Sequence, residues 1–369
     1  MKNHFLLFLV LLFFLSCSST KKQSFLVGTY TENNSQGINY IDFDVKTNKI
    51  SVNAVIYDVK NPSFVISNKA KTVVIAVEEF PSKSGGKVTS FAFDATTKNF
   101  QKINSVDTFG DDPCYVSLSP NEKFIVVGNY SSGNYTVFPM DENGKIGEKV
   151  LLIQHEGKSV NRDRQRGPHV HSVVFHPTEN KLFFTDLGND TVEIVPFNQN
   201  NTSLVETENA FAYHTIPGKG PRHIVFDKTG NYMFITFELT NEVGIAKYEN
   251  NKLELLQTIL LTDIPTLNGS AAEVRLSEDG NFLYASVRGM DNVLVVLQKQ
   301  KEGSWKEIQT VSTGLVPRNF ILTNNDQKIL VANQDSNSIW IFDRDTKTGL
   351  LTKTQEEFSI HKPVYFWSF

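Results

Sequence analysis

The stretch Pro113-Cys114-Tyr115-Val116-Ser117-Leu118-Ser119-Pro120-Asn121-Glu122-Lys123-Phe124-Ile125-Val126-Val127-Gly128-Asn129-Tyr130 reads as two short β-strands joined by a polar turn. β-branched and aromatic residues flank Ser119-Pro120-Asn121-Glu122, and no 3.6-residue period runs through the segment. The same opening recurs as Pro62-Ser63-Phe64-Val65, Pro221-Arg222-His223-Ile224, Pro317-Arg318-Asn319-Phe320 and Pro363-Val364-Tyr365-Phe366. Two copies lack the proline, Val170-His171-Ser172-Val173 and Ala271-Ala272-Glu273-Val274; the turns at Pro177-Thr178-Glu179-Asn180 and Glu278-Asp279-Gly280-Asn281 place them. The openings fall at residues 62, 113, 170, 221, 271, 317 and 363, with spacings of 51, 57, 51, 50, 46 and 46 residues. One four-stranded propeller blade takes roughly 40 to 50 residues.

The chain ends complete the count. After Pro363 there is room for one strand only, Val364 to Phe369, whereas Ser24-Phe25-Leu26-Val27-Gly28-Thr29-Tyr30 matches the second strand of a unit with no first strand before it. Together they make one blade, the closure by which a circular propeller hides its edge strands. The expectation is an all-β protein, a seven-bladed β-propeller with the last blade closed by the N- and C-terminal strands, forming one domain over residues 21–369. A pair of β-sandwiches would explain neither the even spacing nor the divided blade.

Composition agrees. At 369 residues, 40% hydrophobic and 21% charged, the chain is neither disordered, collagen-like nor a polytopic membrane protein. Its net charge of −4 supplies no basic field for a phosphate backbone, so nucleic acid is not an expected partner. Near the N-terminus an apolar run from Phe5 to Leu15 ends in Ser16-Cys17. That run is too short for a spanning helix but fits a secretory signal. The Ser-Cys pair resembles the lipobox of bacterial lipoproteins. Residues 1–20 are therefore read as a signal and short linker with Cys17 as lipid anchor. The expected location is the bacterial envelope, with membrane contact only through the anchor, or otherwise the periplasm. Cys114, the one other cysteine, has apolar neighbours and reads as a buried structural thiol.

In a repeat protein, positions that depart from the repeat are free to serve a site. One ring of positions opens each inner strand: Ser63, Cys114, His171, Arg222, Ala272, Arg318 and Val364. A second follows the second strand: Tyr30, Glu78, Tyr130, Leu187, Glu238, Arg288 and Gln334. In a propeller both rings lie near one end of the central channel, where a ligand touches several blades at once. Charges that directly follow apolar runs need partners. Arg222 and Arg318 would be structural if each bonded carbonyls at a blade junction, but only two of seven blades carry arginine there. His169 and His171, two apart on a strand, raise the question of a metal. No HExxH motif or cysteine pair accompanies them, and Asp186, Asn189 and Asp190 have no known calcium-loop spacing. Neither a GxSxG elbow nor a glycine-rich phosphate loop is present. No metal and no cofactor is expected.

With these residues in view, the chain resembles the lactonase family of seven-bladed propellers, which includes bacterial propeller-type 6-phosphogluconolactonases and a carboxymuconate cyclase. The resemblance rests on Gly28-Thr29-Tyr30, Asn61-Pro62-Ser63, Gly128-Asn129-Tyr130, Pro168-His169-Val170-His171, Asp186-Leu187-Gly188-Asn189-Asp190, Gly220-Pro221-Arg222-His223, Glu238-Leu239, Arg288-Gly289 and Pro317-Arg318. It implies a catalytic group of His171, Arg222, Glu238 and Arg288 on the third, fourth and fifth units. His169, Arg318 and Tyr130 are assigned to substrate binding at the same mouth. The expected reaction is hydrolysis of a small anionic or sugar lactone by a monomer. The same residues would also suit a muconate-type cycloisomerase, and a non-catalytic cell-surface binding propeller is the third reading. His171 and Glu238 are both open as the general base.

Overall fold

The computed structural model describes residues 22–32, 37–80, 85–198, 207–263 and 270–369. Within them 28 strands form seven four-stranded antiparallel sheets. Counted by their inner strands, the blades begin at Val65–Ser67, Pro113–Leu118, Val170–Phe175, Pro221–Phe226, Ala271–Leu276, Pro317–Leu322 and Pro363–Ser368. The seventh blade is the divided one. Its inner strand, Pro363–Ser368, pairs with Lys22–Thr29, Val27 facing Phe366, and Ile38–Asp44 and Lys49–Ile56 complete it. The architecture read from the spacing is the one observed.

Burial explains the pattern of the strands. The second strand of a blade is covered on both faces by neighbouring blades, so Tyr232–Phe237 and Phe282–Val287 run as near-continuous apolar segments. The outermost strands, such as Asn99–Asp107 and Leu351–Ser359, are exposed or half-buried along nearly their whole length. The core lies between adjacent blades. Val126 and Val137 of the second blade, for example, meet Val173, Leu182 and Phe184 of the third, all fully buried. Each such side chain contributes about 1.5–3 kcal/mol of transfer free energy.

One irregularity positions the site. Inner and second strands lose register by one residue at the start of the inner strand, between Pro113 and Tyr115, Val170 and Ser172, Pro221 and Ile224, Ala271 and Val274, and Pro317 and Asn319. The extra residue of a β-bulge leaves the ladder and its side chain is re-aimed. Cys114, His171, Arg222 and Arg318 occupy these bulges and turn into the channel. The sequence pattern of a proline followed by a variable residue is the trace of this bulge.

Residues 1–20, with the signal and Cys17, lie outside the described residues. No described helix is long and apolar enough to cross a membrane. Cys114 is buried, and burial pushes its thiol pKa up. Its sulfur lies 3.6 Å from the His171 carbonyl oxygen, so it packs as a structural thiol rather than a nucleophile.

Candidate active site

At one mouth of the channel a cavity of about 280 Å3 is lined by Glu79, Cys114, Tyr130, Arg164, His171, Arg222, Glu238, Arg288 and Arg318. Glu238 is the hub. It follows the strand Tyr232–Phe237 in a short 3-10 turn, 5% exposed. One carboxylate oxygen accepts a hydrogen bond from Arg164 Nη2 at 2.6 Å. The other lies 2.8 Å from Arg222 Nε and 3.3 Å from Arg288 Nη2. Arg222, only 2% exposed, donates through Nη1 to the Ala272 carbonyl, and Arg288 donates through Nε to the Ser270 carbonyl. Across the mouth, Arg318 lies over the Tyr30 ring and 4.0 Å from Glu79, whose other oxygen accepts the Tyr30 hydroxyl.

The charges set the protonation states. Burial alone would raise the pKa of Glu238, but Arg288, Arg222 and Arg164 outweigh it and hold the carboxyl at about 2. Burial, reinforced by Arg222 and His223, drives His171 well below the ordinary imidazole range. At neutral pH Glu238 is therefore ionised and committed to the guanidinium groups, while His171 is a neutral imidazole. Arg288 is itself lowered to about 9 by burial and by Arg222, and remains a cation at neutral pH.

Arg164 comes from outside the blades, on residues 155–169, which strap the second blade to the third. Gln165, fully buried, donates to the Leu187 carbonyl at 2.9 Å and to Asp190 at 2.8 Å. Asp186 receives the His169 amide at 2.7 Å and His155 Nδ1 at 2.8 Å, and His155 Nε2 lies 2.8 Å from Glu193. Gly188 is required where the strap crosses, because a Cβ there would run into the Gly167 carbonyl oxygen. The run Asp186-Leu187-Gly188-Asn189-Asp190 is thus a docking plate for the strap. The oxygens considered for calcium are taken: Asp190 also accepts the amides of Gly218 and Gly220, and Asn189 accepts the Thr191 hydroxyl. Among the described residues no group of three or more His, Cys, Asp or Glu is placed to hold a metal ion.

His155 makes the strap sensitive to pH. Burial opposes its charge, but the bonds to Asp186 and Glu193 prevail and raise its pKa from 6.5 to about 9. A raised folded-state pKa adds stability below the unfolded value, and that stability is lost as the pH climbs through 9. The stability difference between the wild type and His155→Gln, read by urea unfolding, is expected to be widest below about pH 6.5 and to close above about pH 9. A difference that stays constant to about pH 10 would contradict the role of the imidazolium.

Of the residues picked from sequence, His171, Arg222, Glu238, Arg288, Arg318 and Tyr130 converge on the cavity. His169 does not line it. Its ring stacks on Tyr130 at 4.4 Å and its Nδ1 lies 2.9 Å from the Tyr130 carbonyl oxygen, so it backs the tyrosine. The second ring holds Glu79 in place of Glu78, because the strand Val73–Glu78 ends one residue before the ring position. Glu78 points the other way and accepts the Thr89 hydroxyl. A slip of one residue along a strand exchanges its faces. Arg164 belongs to neither ring and yet reaches the cavity. Its signal was the longest spacing, 57 residues between openings 113 and 170, which marks an insertion before the third blade.

The chain matches the family described as Lactonase, 7-bladed beta-propeller, over residues 24–367. It is 30% identical to a 6-phosphogluconolactonase of Bacillus subtilis over 343 residues, 92% of this chain and 96% of that protein. A 6-phosphogluconolactonase of Formosa agariphila is likewise 30% identical, over 91% of this chain and 96% of its own length. Among solved structures, the periplasmic gluconolactonase of Pseudomonas aeruginosa superposes with a TM-score of 0.88 at 31% identity, covering 94% of this chain and 98% of that one. Fold, mouth and matched length agree, and the chain belongs to the lactonase family of seven-bladed β-propellers.

Proposed function

We propose that the protein hydrolyses a sugar-type lactone, in the manner of a 6-phosphogluconolactonase, with His171, Arg222, Glu238 and Arg288 as its catalytic group. The observation that carries this reading is four guanidinium groups against two carboxylates around a neutral imidazole. That excess positive charge matches an anionic substrate and the oxyanion formed when water adds to the lactone carbonyl.

In this mechanism His171 takes a proton from water as the new C–O bond forms, and returns it to the ring oxygen as the lactone C–O bond breaks. The products are a hydroxyl group and a carboxylic acid, which releases its proton to solvent and leaves as the carboxylate. Glu238, held ionised, is a poor proton acceptor; its part is to fix Arg222 and Arg288 so that one meets the oxyanion and the other the substrate anion. Charging His171 beside Arg222 and Arg318 is costly in the empty site. A bound anion offsets those cations and restores the basicity of the imidazole, coupling substrate charge to catalysis. The acid limb of kcat/KM, which reports the free enzyme, is therefore expected well below the ordinary imidazole range, and that of kcat closer to it.

Arg164 is assigned to the substrate anion, since it enters from the strap, is a quarter exposed and pairs with Glu238 from the cavity side. Arg164→Ala is expected to raise KM for an anionic sugar lactone about tenfold or more. A neutral lactone should suffer less, and Arg164→Lys should recover part of the loss. Equal losses on both lactones would remove Arg164 from anion binding.

His169 would support Tyr130 from behind, and Arg318 would complete the anion-binding wall. For location, the export segment and the periplasmic relative both support an exported protein, with Cys17 as its lipid anchor. Labelled palmitate is expected to enter the wild-type chain and not Cys17→Ser; labelling of both would rule out that anchor.

A further inference from the structure

The channel has a second mouth. A cavity of about 460 Å3 opens at the other end of the inner strands, in the size range of small-molecule sites. A narrow waist, which includes Cys114, His171, Arg222 and His223, separates it from the arginine-lined mouth.

Here too the repeat is broken. At the third position of the inner strand four blades carry Phe64, Tyr115, Ser172 and Tyr365, but three consecutive blades carry His223, Glu273 and Asn319. Two residues further along, Arg275 alone is charged. Glu273 is 5% exposed and fully engaged. It accepts from Asn319 Nδ2 and from the Val274 amide, lies 3.3 Å from His223 Nδ1, and lies 3.5 Å from Arg275 Nε. The propeller does not need this cluster, since the other blades close the channel without it.

Glu273 has no capacity left for a ligand, and what it does is hold Arg275 in the cavity. The Arg275 side chain is 30% exposed there, and its Nε is buried without a hydrogen-bond partner. Tyr115 and Tyr365 line the same cavity, close enough for their hydroxyls to interact with the guanidinium charge. Burial pushes both phenols up in pKa, so each hydroxyl remains a donor. Beside them is an aromatic wall: the Phe64 ring lies 4.0 Å from that of Tyr115 and 3.9 Å from that of Tyr365, and Trp367 also lines the cavity. Lys69 and Lys71 stand at the rim with one carboxylate, Glu122.

We propose that this mouth is a second ligand site, built for a small carboxylate on an aromatic or alicyclic ring. The carboxylate meets Arg275 and the two phenol hydroxyls, and the ring lies along the Phe64 and Trp367 wall. The donor-rich floor favours an acceptor-only head group, and the apolar wall favours a flat body over an open polyol. The site is independent of the reaction at the other mouth and stands whether or not that reaction is lactone hydrolysis.

Calorimetric titration of the whole protein with benzoate, and with benzamide as its neutral counterpart, tests this. Benzoate is expected to saturate with a Kd of about 1 mM or below, and benzamide to bind about tenfold more weakly. Arg275→Met is expected to weaken benzoate about tenfold or more, whereas Arg164→Ala, at the opposite mouth, leaves it unchanged. Tyr115→Phe and Tyr365→Phe keep the rings and remove one donor each, so a loss of benzoate affinity in both serves if Arg275→Met does not fold. The proposal is overturned if benzamide binds as well as benzoate, if Arg164→Ala and not Arg275→Met abolishes binding, or if no saturation occurs by about 10 mM.

Discussion

His171→Ala is expected to lower kcat on a sugar lactone by about 10²- to 10⁴-fold, the range for loss of a positioned general base. The side chain sits in the bulge that opens the third blade and faces the cavity. It is kept neutral by burial and by the cations around it, so no proton must be shed before it can accept one from water. Removing the imidazole leaves the guanidinium groups in place, and KM should move much less than kcat. The readout is a continuous titration of the acid released, with the spontaneous rate subtracted, since lactones also open unaided. His171→Gln keeps the volume and a hydrogen-bonding group but cannot take the proton. Recovery of activity in that variant would assign His171 to positioning and leave the base elsewhere.

Glu238→Gln is expected to cost about 3–5 kcal/mol of stability, read by urea unfolding, because it leaves buried positive charges facing a neutral amide. Arg164, Arg222 and Arg288 all lose their counter-charge at once. The exposed pair Lys228–Glu278, at 2.5 Å no longer than any of these, gives the contrast: Glu278→Ala should change stability by about 0–1 kcal/mol. The pH dependence follows in sign. The folded-state pKa of Glu238 lies near 2, below its ordinary 4.5. Its contribution is therefore complete above about pH 4.5 and is lost as the pH falls toward 2, so wild type and variant should converge in acid. A stability difference that persisted there would mean that the loss came from packing rather than charge. Activity should fall with stability, since Arg222 and Arg288 lose the group that fixes them.

The propeller could be read from the chain because it repeats itself. Each blade uses the same inner strand, bulge and turn, so spacing and the divided seventh blade identify it without any single strong motif. The catalytic candidates were legible for the same reason: His171, Arg222 and Arg288 interrupt positions that other blades fill differently. What escaped lies off the repeat or one residue from its frame. Arg164 sits on an insertion with no counterpart in other blades, so no comparison between units could expose it. Glu79 was hidden behind Glu78 because two adjacent glutamates end the strand and only the strand boundary decides which one faces the channel. His223 and Glu273 lie deeper in the inner strands, beyond the two rings that mark the first mouth. His169 shares a strand entry with His171, but its bond to the Tyr130 carbonyl holds it outside the cavity.

The measurement that tests the central claim most directly is the rate of opening of paired lactones, 6-phosphogluconolactone and uncharged gluconolactone, at neutral pH, with and without chelator. The wild type is expected to accelerate opening well above the buffer rate in the presence of chelator, and to favour the anionic lactone. Arg222→Ala should remove most of that acceleration. No acceleration of either lactone by the wild type, or full activity in Arg222→Ala, would contradict a lactonase centred on this cluster.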